Sequence, residues 1–293
     1  MTKRRDEQPA GKRSRRRLLF LLLIPACLVA FFWWEQNALQ TELIEVQGAP
    51  AAFDGFRIAI ISDVHGKEFG KDNKTLLARV AELEPNMIAI TGDLIHNRKQ
   101  LPMVAPLARG LSEIAPTYYI TGNHEWAARC VNDVKAILKE CGVRVLSNEY
   151  ELLEQDGEKL ALLGAEDLNG MKGQKTIQEL ANQVRWSEGE GTYQLLLSHR
   201  NNRYETYQEA GVDLTLAGHA HGGIIRLPGT DGLIGHHGFF PKYTAGRYDL
   251  SYGQMVVSRG LGNQPPLYRL FNHPHLPLVI LKAQEEGGIG HEL

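Results

Sequence analysis

Five polar motifs hold most of the residues able to do chemistry: Ser62-Asp63-Val64-His65, Gly92-Asp93, Gly122-Asn123-His124-Glu125, Ser198-His199-Arg200 and Gly218-His219-Ala220-His221. Each follows a short apolar run that reads as a strand: RIAII, NMIAIT, PTYYIT, YQLLLS and VDLTLA. Ligands of open α/β sheets bind beyond the carboxyl ends of the strands. Five strands would therefore bring Asp63, His65, Asp93, Asn123, His124, His199, His219 and His221 to one crevice. The donors are carboxylate, imidazole and amide oxygen, with no thiolate, which suits Mn, Fe or Zn better than a soft metal. Even seven ligands among these eight residues are too many for one ion, whereas two ions sharing one bridging carboxylate would use all seven. Taken singly, an Asp-x-His or a Gly-Asp is a weak signal, and His199 alone fits a hydrogen-bonded core histidine equally well. Gly-His-x-His is more specific, because residues i and i+2 at a strand end point the same way.

The elements that must position these groups alternate. Between the first strands lie amphipathic segments: NKTLLARVAELE places Leu76, Val80 and Leu83 on one face, and CVNDVKAILKE follows the same period. The second half is richer in strands. VRVLSN, YELLE and KLALLG are expected in succession, with Asp156-Gly157 turning between the last two, and GIIRL, QMVVSRG and LVILK come after the His219 motif. This order predicts an α/β (α+β) sandwich with mixed sheets. One catalytic domain is expected over residues 45–285, after a linker at 35–44; within the connecting stretch 35–56, LIEVQG can already be a first strand, and residues 286–293 form a tail.

In this order the motifs resemble the calcineurin-like metallophosphoesterase superfamily, whose signature runs D-x-H, G-D, G-N-H-[DE], H, G-H-x-H. SDVH, GDLIH, GNHE, SHR and GHAH match throughout. The segments YTAGRYDL, VVSRGLG and PLYRLFNHPHLPLVIL look like the bacterial branch that carries an N-terminal membrane anchor or export signal. The resemblance implies a four-layer α/β/β/α sandwich. It implies that Asp63, His65 and His221 hold one metal, that Asp93 bridges, and that Asn123, His199 and His219 complete the second site. It also implies that His124 is the catalytic histidine near the leaving-group oxygen, oriented by Glu125. Purple acid phosphatases of the superfamily add a tyrosine three residues after the bridging aspartate; His96 stands there, which argues against a ferric centre. Two such ions share a water, lower its pKa and provide a bridging hydroxide for in-line attack. The implied activity is hydrolysis of a phosphodiester or of a pyrophosphate-linked lipid or envelope compound. A phosphomonoesterase or nucleotide phosphatase is the alternative, and a catalytically silent metal-binding scaffold is a third.

Charge and hydropathy point to a membrane. Residues 1–17 hold eight Lys/Arg against Asp6 and Glu7, a net +6 that leaves −8 on the remainder of a chain with net charge −2. An acidic body disfavours a nucleic-acid partner, because phosphate backbones are bound chiefly through positive charge. Leu18 to Trp34 contains no charge, ends on two interfacial tryptophans, and is followed by no Lys or Arg until Arg57. A single transmembrane anchor at 18–34 is expected, with the basic tail cytoplasmic and the catalytic domain outside. Cleavage as a signal peptide is the rival reading. It is disfavoured because Ala26, Ala30 and Ala38 each have a large residue two positions earlier. Ser14-Arg15-Arg16-Arg17-Leu18-Leu19 also resembles a twin-arginine export signal, which would suit a domain exported after folding.

Other residues are assigned structural roles. Cys130 and Cys141 bracket a helix at a separation too great for a disulfide and are expected as free thiols. Arg200 and Arg259 have the planar fork that suits a phosphate, with an ion pair favoured for Arg200. His236 and His237 fall in a glycine-rich loop read as solvated, and His273, His275 and His291 as unrelated to the site.

Overall fold

The computed structural model describes residues 10–170, 172–227, 232–235, 238–263 and 268–284, with side chains from residue 20 onward. His236, His237, His291 and the tail 286–293 lie outside the described residues. The chain begins with helix α1 (Ala10–Asn37), continuous through Pro25. Strand β1 (Gln40–Ala49) follows, then β2 (Arg57–Ile61), α2 (Lys74–Glu82), β3 (Met87–Ile90), α3 (Val104–Ile114) and β4 (Thr117–Tyr119). Next come α4 (Asn123–Ala127), α5 (Val131–Glu140), β5 (Arg144–Val145), β6 (Glu149–Gln155), β7 (Glu158–Gly164), α6 (Ile177–Glu188) and β8 (Tyr193–Arg200). The last elements are α7 (Tyr204–Ala210), β9 (Leu214–Gly218), β10 (Ile234–Gly235), β11 (Gly238–Phe239), β12 (Gly246–Asp249), β13 (Gln254–Val257) and β14 (His275–Ala283).

Two six-stranded mixed sheets form, ordered β1-β14-β2-β3-β4-β5 and β12-β13-β9-β8-β7-β6. Period-two alternation sorts their side chains into layers. Ile58 and Ile60 of β2 meet Leu195 and Leu197 of β8 between the sheets. Ala59 and Ile61 face α2, α3 and α5 on one outer side, while Leu196, Ala161 and Leu163 face α6 and α7 on the other. The result is a four-layer α/β/β/α sandwich. Strands buried on both faces read as unbroken apolar runs, which is why RIAII and YQLLL carry no polar alternation. The β6–β7 hairpin turns at Asp156-Gly157, both at positive φ (48° and 86°) as a type I′ turn requires. Cys130 and Cys141 are buried free thiols at the two ends of α5.

Three details differ from the sequence expectation. The segment 35–44 is not a linker: it is the end of α1, a two-residue joint, and the first half of β1, which pairs in parallel with β14. That pairing spans most of the chain, so no local pattern announces it. VRVLSN yields only Arg144–Val145, because Leu146 turns into the inter-sheet core and Asn148 takes a positive φ of 56°. GIIRL forms isolated bridges at Ile224 and Ile225 rather than a strand.

Candidate metal centre

Both sheets end at the same crevice. Asp63 and His65 follow β2, Asp93 follows β3, Asn123 and His124 follow β4, His199 lies near the end of β8, and His219 and His221 follow β9. Three strands come from one sheet and two from the other, so the site spans the seam of the sandwich. Asp63, His65, Asp93, His219 and His221 all hold positive φ between 48° and 68°. Non-glycine residues pay for that conformation, and such strain clusters where geometry serves function. Backbone bonds fix it here: the Asp63 N–H donates to the Gly92 carbonyl (3.1 Å) and the His65 N–H to the Asp93 carbonyl (3.0 Å).

Two glycines of the motifs act through close approach. A Cβ on Gly122 would stand 2.1 Å from Asp93 Oδ1, and one on Gly218 would stand 1.9 Å from Ser62 Oγ and 2.5 Å from Asp63 Oδ2. No side chain fits at either position without displacing a carboxylate. The carboxylates are aimed by donors: Ser62 Oγ–H (2.6 Å) and the His219 N–H (3.0 Å) donate to Asp63 Oδ2, and the His124 N–H (2.8 Å) donates to Asp93 Oδ1.

Two donor groups result. In one, His65 Nε2 and His221 Nε2 are 3.1 Å apart and His221 Nε2 is 3.4 Å from Asp63 Oδ1. In the other, His199 Nε2 lies 3.1 Å from Asn123 Oδ1, 3.2 Å from His219 Nδ1 and 3.3 Å from Asp93 Oδ2. Asp93 Oδ2 is also 3.8 Å from His65 Nε2, so the same oxygen faces both groups. Within each group of three, Asp63-His65-His221 and Asp93-His199-His219, the ligand atoms lie within 4.8 Å of one another. His199 Nδ1 donates to the Thr91 carbonyl at 2.8 Å, which turns the Nε2 lone pair into the crevice.

The electrostatics fit cations. Burial drives Asp63 up to about 6 and His65 down to about 3, because neither bears charge easily there. Burial also opposes charge on Asp93 and His199, yet their mutual attraction prevails: Asp93 is held below the usual carboxylate range and His199 rises to about 10. A proton on His199 thus offsets Asp93, and a divalent cation at the same lone pairs would displace it. Donor type, convergence and charge all suit oxygen- and nitrogen-preferring divalent metals.

Residues 56–223 match the family described as calcineurin-like phosphoesterase. A metallophosphoesterase of Bacillus subtilis, YkuE, is 30% identical over 244 residues, covering 80% of this chain and 82% of the relative. Phosphodiesterase YaeI of Escherichia coli is 27% identical over 218 residues, covering 71% and 76%. A transmembrane protein with metallophosphoesterase domain from Danio rerio is 26% identical over 259 residues, covering 82% of this chain and 56% of its own length. The chain belongs to the calcineurin-like phosphoesterase family. It is a metal-binding hydrolase of phosphoester bonds.

Further groups surround the centre of this phosphoesterase. His124 Nε2 is 3.9 Å from Asp93 Oδ2, and burial lowers its pKa below the ordinary imidazole range. Glu125 follows His124 in α4. Its buried carboxylate accepts from the N–H groups of Gly122 (2.9 Å), Asp93 (3.1 Å) and Ile95 (3.4 Å), which makes it a clamp on the turn carrying Asp93. His96, singled out in the sequence only as a departure from the purple phosphatases, has its ring 4.7 Å from that of His124, tilted by 36°, at the exposed mouth, and groups with His65 and His124. Its position three residues after Asp93 was the available signal.

Arg200 forms a two-pronged pair with buried Asp167 (2.7 and 3.0 Å). The pair stands in the wall of a 220 Å³ cavity that reaches His199 and is lined by Ala165, Leu168 and Ile177 together with polar residues such as Gln174 and Lys175. Arg259 Nη2 donates to Gln40 Oε1 at 2.7 Å, while its stem lies against Gly222, the residue after His221. His273 approaches Glu35 (3.5 Å) and His275 approaches Glu42 (2.9 Å); neither joins the groups above. At the other end of the chain, α1 contains a stretch, Phe20–Asn37, long and apolar enough by length and composition to cross a membrane.

Proposed function

We propose that this chain is a phosphodiesterase with a dinuclear centre of Mn, Fe or Zn, anchored by α1 with its catalytic domain outside the cytoplasmic membrane. The observation that carries the reading is Asp93 Oδ2, one carboxylate oxygen facing two complete donor groups. Asp63, His65 and His221 would hold one ion, Asn123, His199 and His219 the other, with Asp93 shared. Two divalent cations there supply a Lewis-acid platform for phosphoryl oxygens and acidify water at neutral pH. Thr91, Ser62 and Glu125 keep the ligands aimed, so little reorganisation is needed when charge builds on the phosphorus centre. His124 stands at the mouth of the centre and passes a proton to the departing oxygen. Its lowered pKa makes the protonated ring a stronger acid. The apolar-walled cavity beside His199 offers room for one ester group of a diester.

The address supports an envelope or lipid-derived substrate. The basic flank before α1 and the run free of Lys and Arg until Arg57 favour a cytoplasmic N-terminus. Hydrolysis of bis-p-nitrophenyl phosphate and p-nitrophenyl phosphate under Mn²⁺ tests the diester reading. A clear preference for the diester is expected. A preference for the monoester would move the assignment to a phosphomonoesterase or nucleotide phosphatase on the same residues.

A further inference from the structure

The base of α1 is built into the catalytic domain. The Phe31 and Phe271 rings are 6.0 Å apart, and Trp34 stands 4.3 Å from His273. Glu35, only 1% exposed, lies 3.5 Å from His273 Nε2 and accepts from the Asn272 N–H at 3.3 Å. Gln36 donates to the Arg269 carbonyl (2.7 Å) and accepts from the Arg269 N–H (3.2 Å) and Asn263 Nδ2 (2.5 Å). The Lys67 ammonium, two residues after His65, donates to the Gln36 carbonyl. Segment 268–273 therefore has a defined depth against the helix.

With α1 across a membrane, that depth falls at the membrane surface. Trp33 and Trp34 end the apolar run at headgroup level, and Phe31 lies about 4.5 Å further in along a helix rising 1.5 Å per residue. Phe271, packed on Phe31, sits at the same level. Leu270 beside it bridges to Ile225, Ile225 bridges to Ile234, and Ile234 pairs with Phe239. This small platform exposes Phe239 (74%), Phe240 (73%), Tyr268 (63%), Phe271 (50%) and Leu227 (46%). Exposed aromatic groups on segments bridged to one another mark a contact, and their amphipathic or apolar rings suit a bilayer interface. The platform is also coupled to the metal centre: Asn272 Nδ2 donates to the carbonyls of His221 (2.7 Å) and Ile224 (3.1 Å).

We propose that this platform is a second membrane contact, seated in the same leaflet as the base of α1. The metal centre then opens at the lipid–water interface and takes phosphoesters whose apolar part stays in the bilayer. The inference rests on α1 being membrane-embedded. Continuity of the platform with α1 through Phe31–Phe271 favours a lipid surface over a protein partner.

Nitroxide-lipid quenching of the full-length chain, in vesicles of phosphatidylethanolamine and phosphatidylglycerol, tests it. Bimane is placed on native Cys27 in the anchor, or, in a Cys27→Ser background, on Phe240→Cys, Phe271→Cys, Tyr268→Cys or Trp186→Cys. Cys130 and Cys141 are buried and spared. Trp186, 83% exposed near the end of α6, lies at the opposite edge of the strands from the metal centre. Labels at 27, 240, 268 and 271 should lose about half or more of their emission, as expected for groups roughly 5–10 Å into the headgroup–acyl boundary. The label at 186 should be unaffected. Retained turnover of bis-p-nitrophenyl phosphate certifies that each variant is folded, and the three platform positions substitute for one another if one variant is not. Quenching at 27 without quenching at the platform overturns the second contact and leaves the anchor intact. Equal quenching at 186 overturns the orientation, and no quenching at 27 overturns the anchor and the platform together.

Discussion

Two buried polar clusters lie within reach of one another, and they are built on opposite principles. At the metal centre, carboxylates and imidazoles converge without enough protein-borne positive charge, on backbone held at positive φ. At the base of α1, Glu35, Gln36, Lys67, Arg269 and Asn272 hydrogen-bond one another and the surrounding carbonyls, with Arg269 Nη1 and Asn272 Oδ1 left over as buried atoms outside that network. Burying a polar group costs free energy unless it is paired. The second cluster meets most of that cost internally and stabilises a joint. The first leaves it to be met by cations, which is what makes it a site.

The largest expected effect comes from removing the shared ligand. Asp93→Asn keeps the shape but lowers the charge between the groups, so metal content should fall to one ion or none and turnover by about three orders of magnitude or more. Full activity with two bound metals, read by elemental analysis, would show that Asp93 does not bridge. His124→Ala should cut turnover by about 10²–10⁴, the usual range for a general acid, while both metals stay bound. The loss should be smaller with p-nitrophenyl esters, whose leaving group needs little protonation. A variant that arrives empty of metal would make His124 a ligand instead.

The satisfied side of the comparison predicts a smaller, acid-dependent effect. His275, beneath the α1 joint, accepts from the Arg259 N–H at Nδ1 (3.2 Å) and donates from Nε2 to Glu42 (2.9 Å). Only the neutral ring does both. Burial, partly countered by Glu42, lowers its pKa to about 4. A histidine whose folded pKa lies below its unfolded value near 6.5 stabilises the fold above that value. The contribution, roughly 2–4 kcal/mol from the shift, should fade as pH drops from about 6.5 to 4. Denaturant midpoints of the wild type and His275→Gln should converge across that window. Parallel pH profiles would place the acid sensitivity elsewhere.

Much of the centre was legible because its information is local. Asp63-x-His65, Gly122-Asn123-His124 and His219-x-His221 sit at strand ends, where spacing fixes direction, and Gly122 and Gly218 show why those motifs begin with glycine. The helices α2 and α5 and the Asp156-Gly157 hairpin follow from period and turn chemistry alone. Glu125 was read only through the family resemblance, and that its carboxylate accepts from the N–H of Asp93, 32 residues away, was not legible. Arg200 was legible as an ion pair, but its partner Asp167 and the cavity they flank were not.

By itself, the sequence determined the candidate metal-binding residues, the family, the alternation of strands and helices, and a helix apolar enough to enter a membrane. These depend on residue type, short spacing and period, which survive without any knowledge of distant contacts. Only the tertiary structure decided that one oxygen of Asp93 faces both donor groups, that β1 begins at Gln40 by pairing with β14, and that His96 joins the mouth. It alone joined Glu35 to Asn272 and thence to His221. Such contacts link positions up to 237 residues apart, and a chain specifies them only collectively, by packing every layer at once.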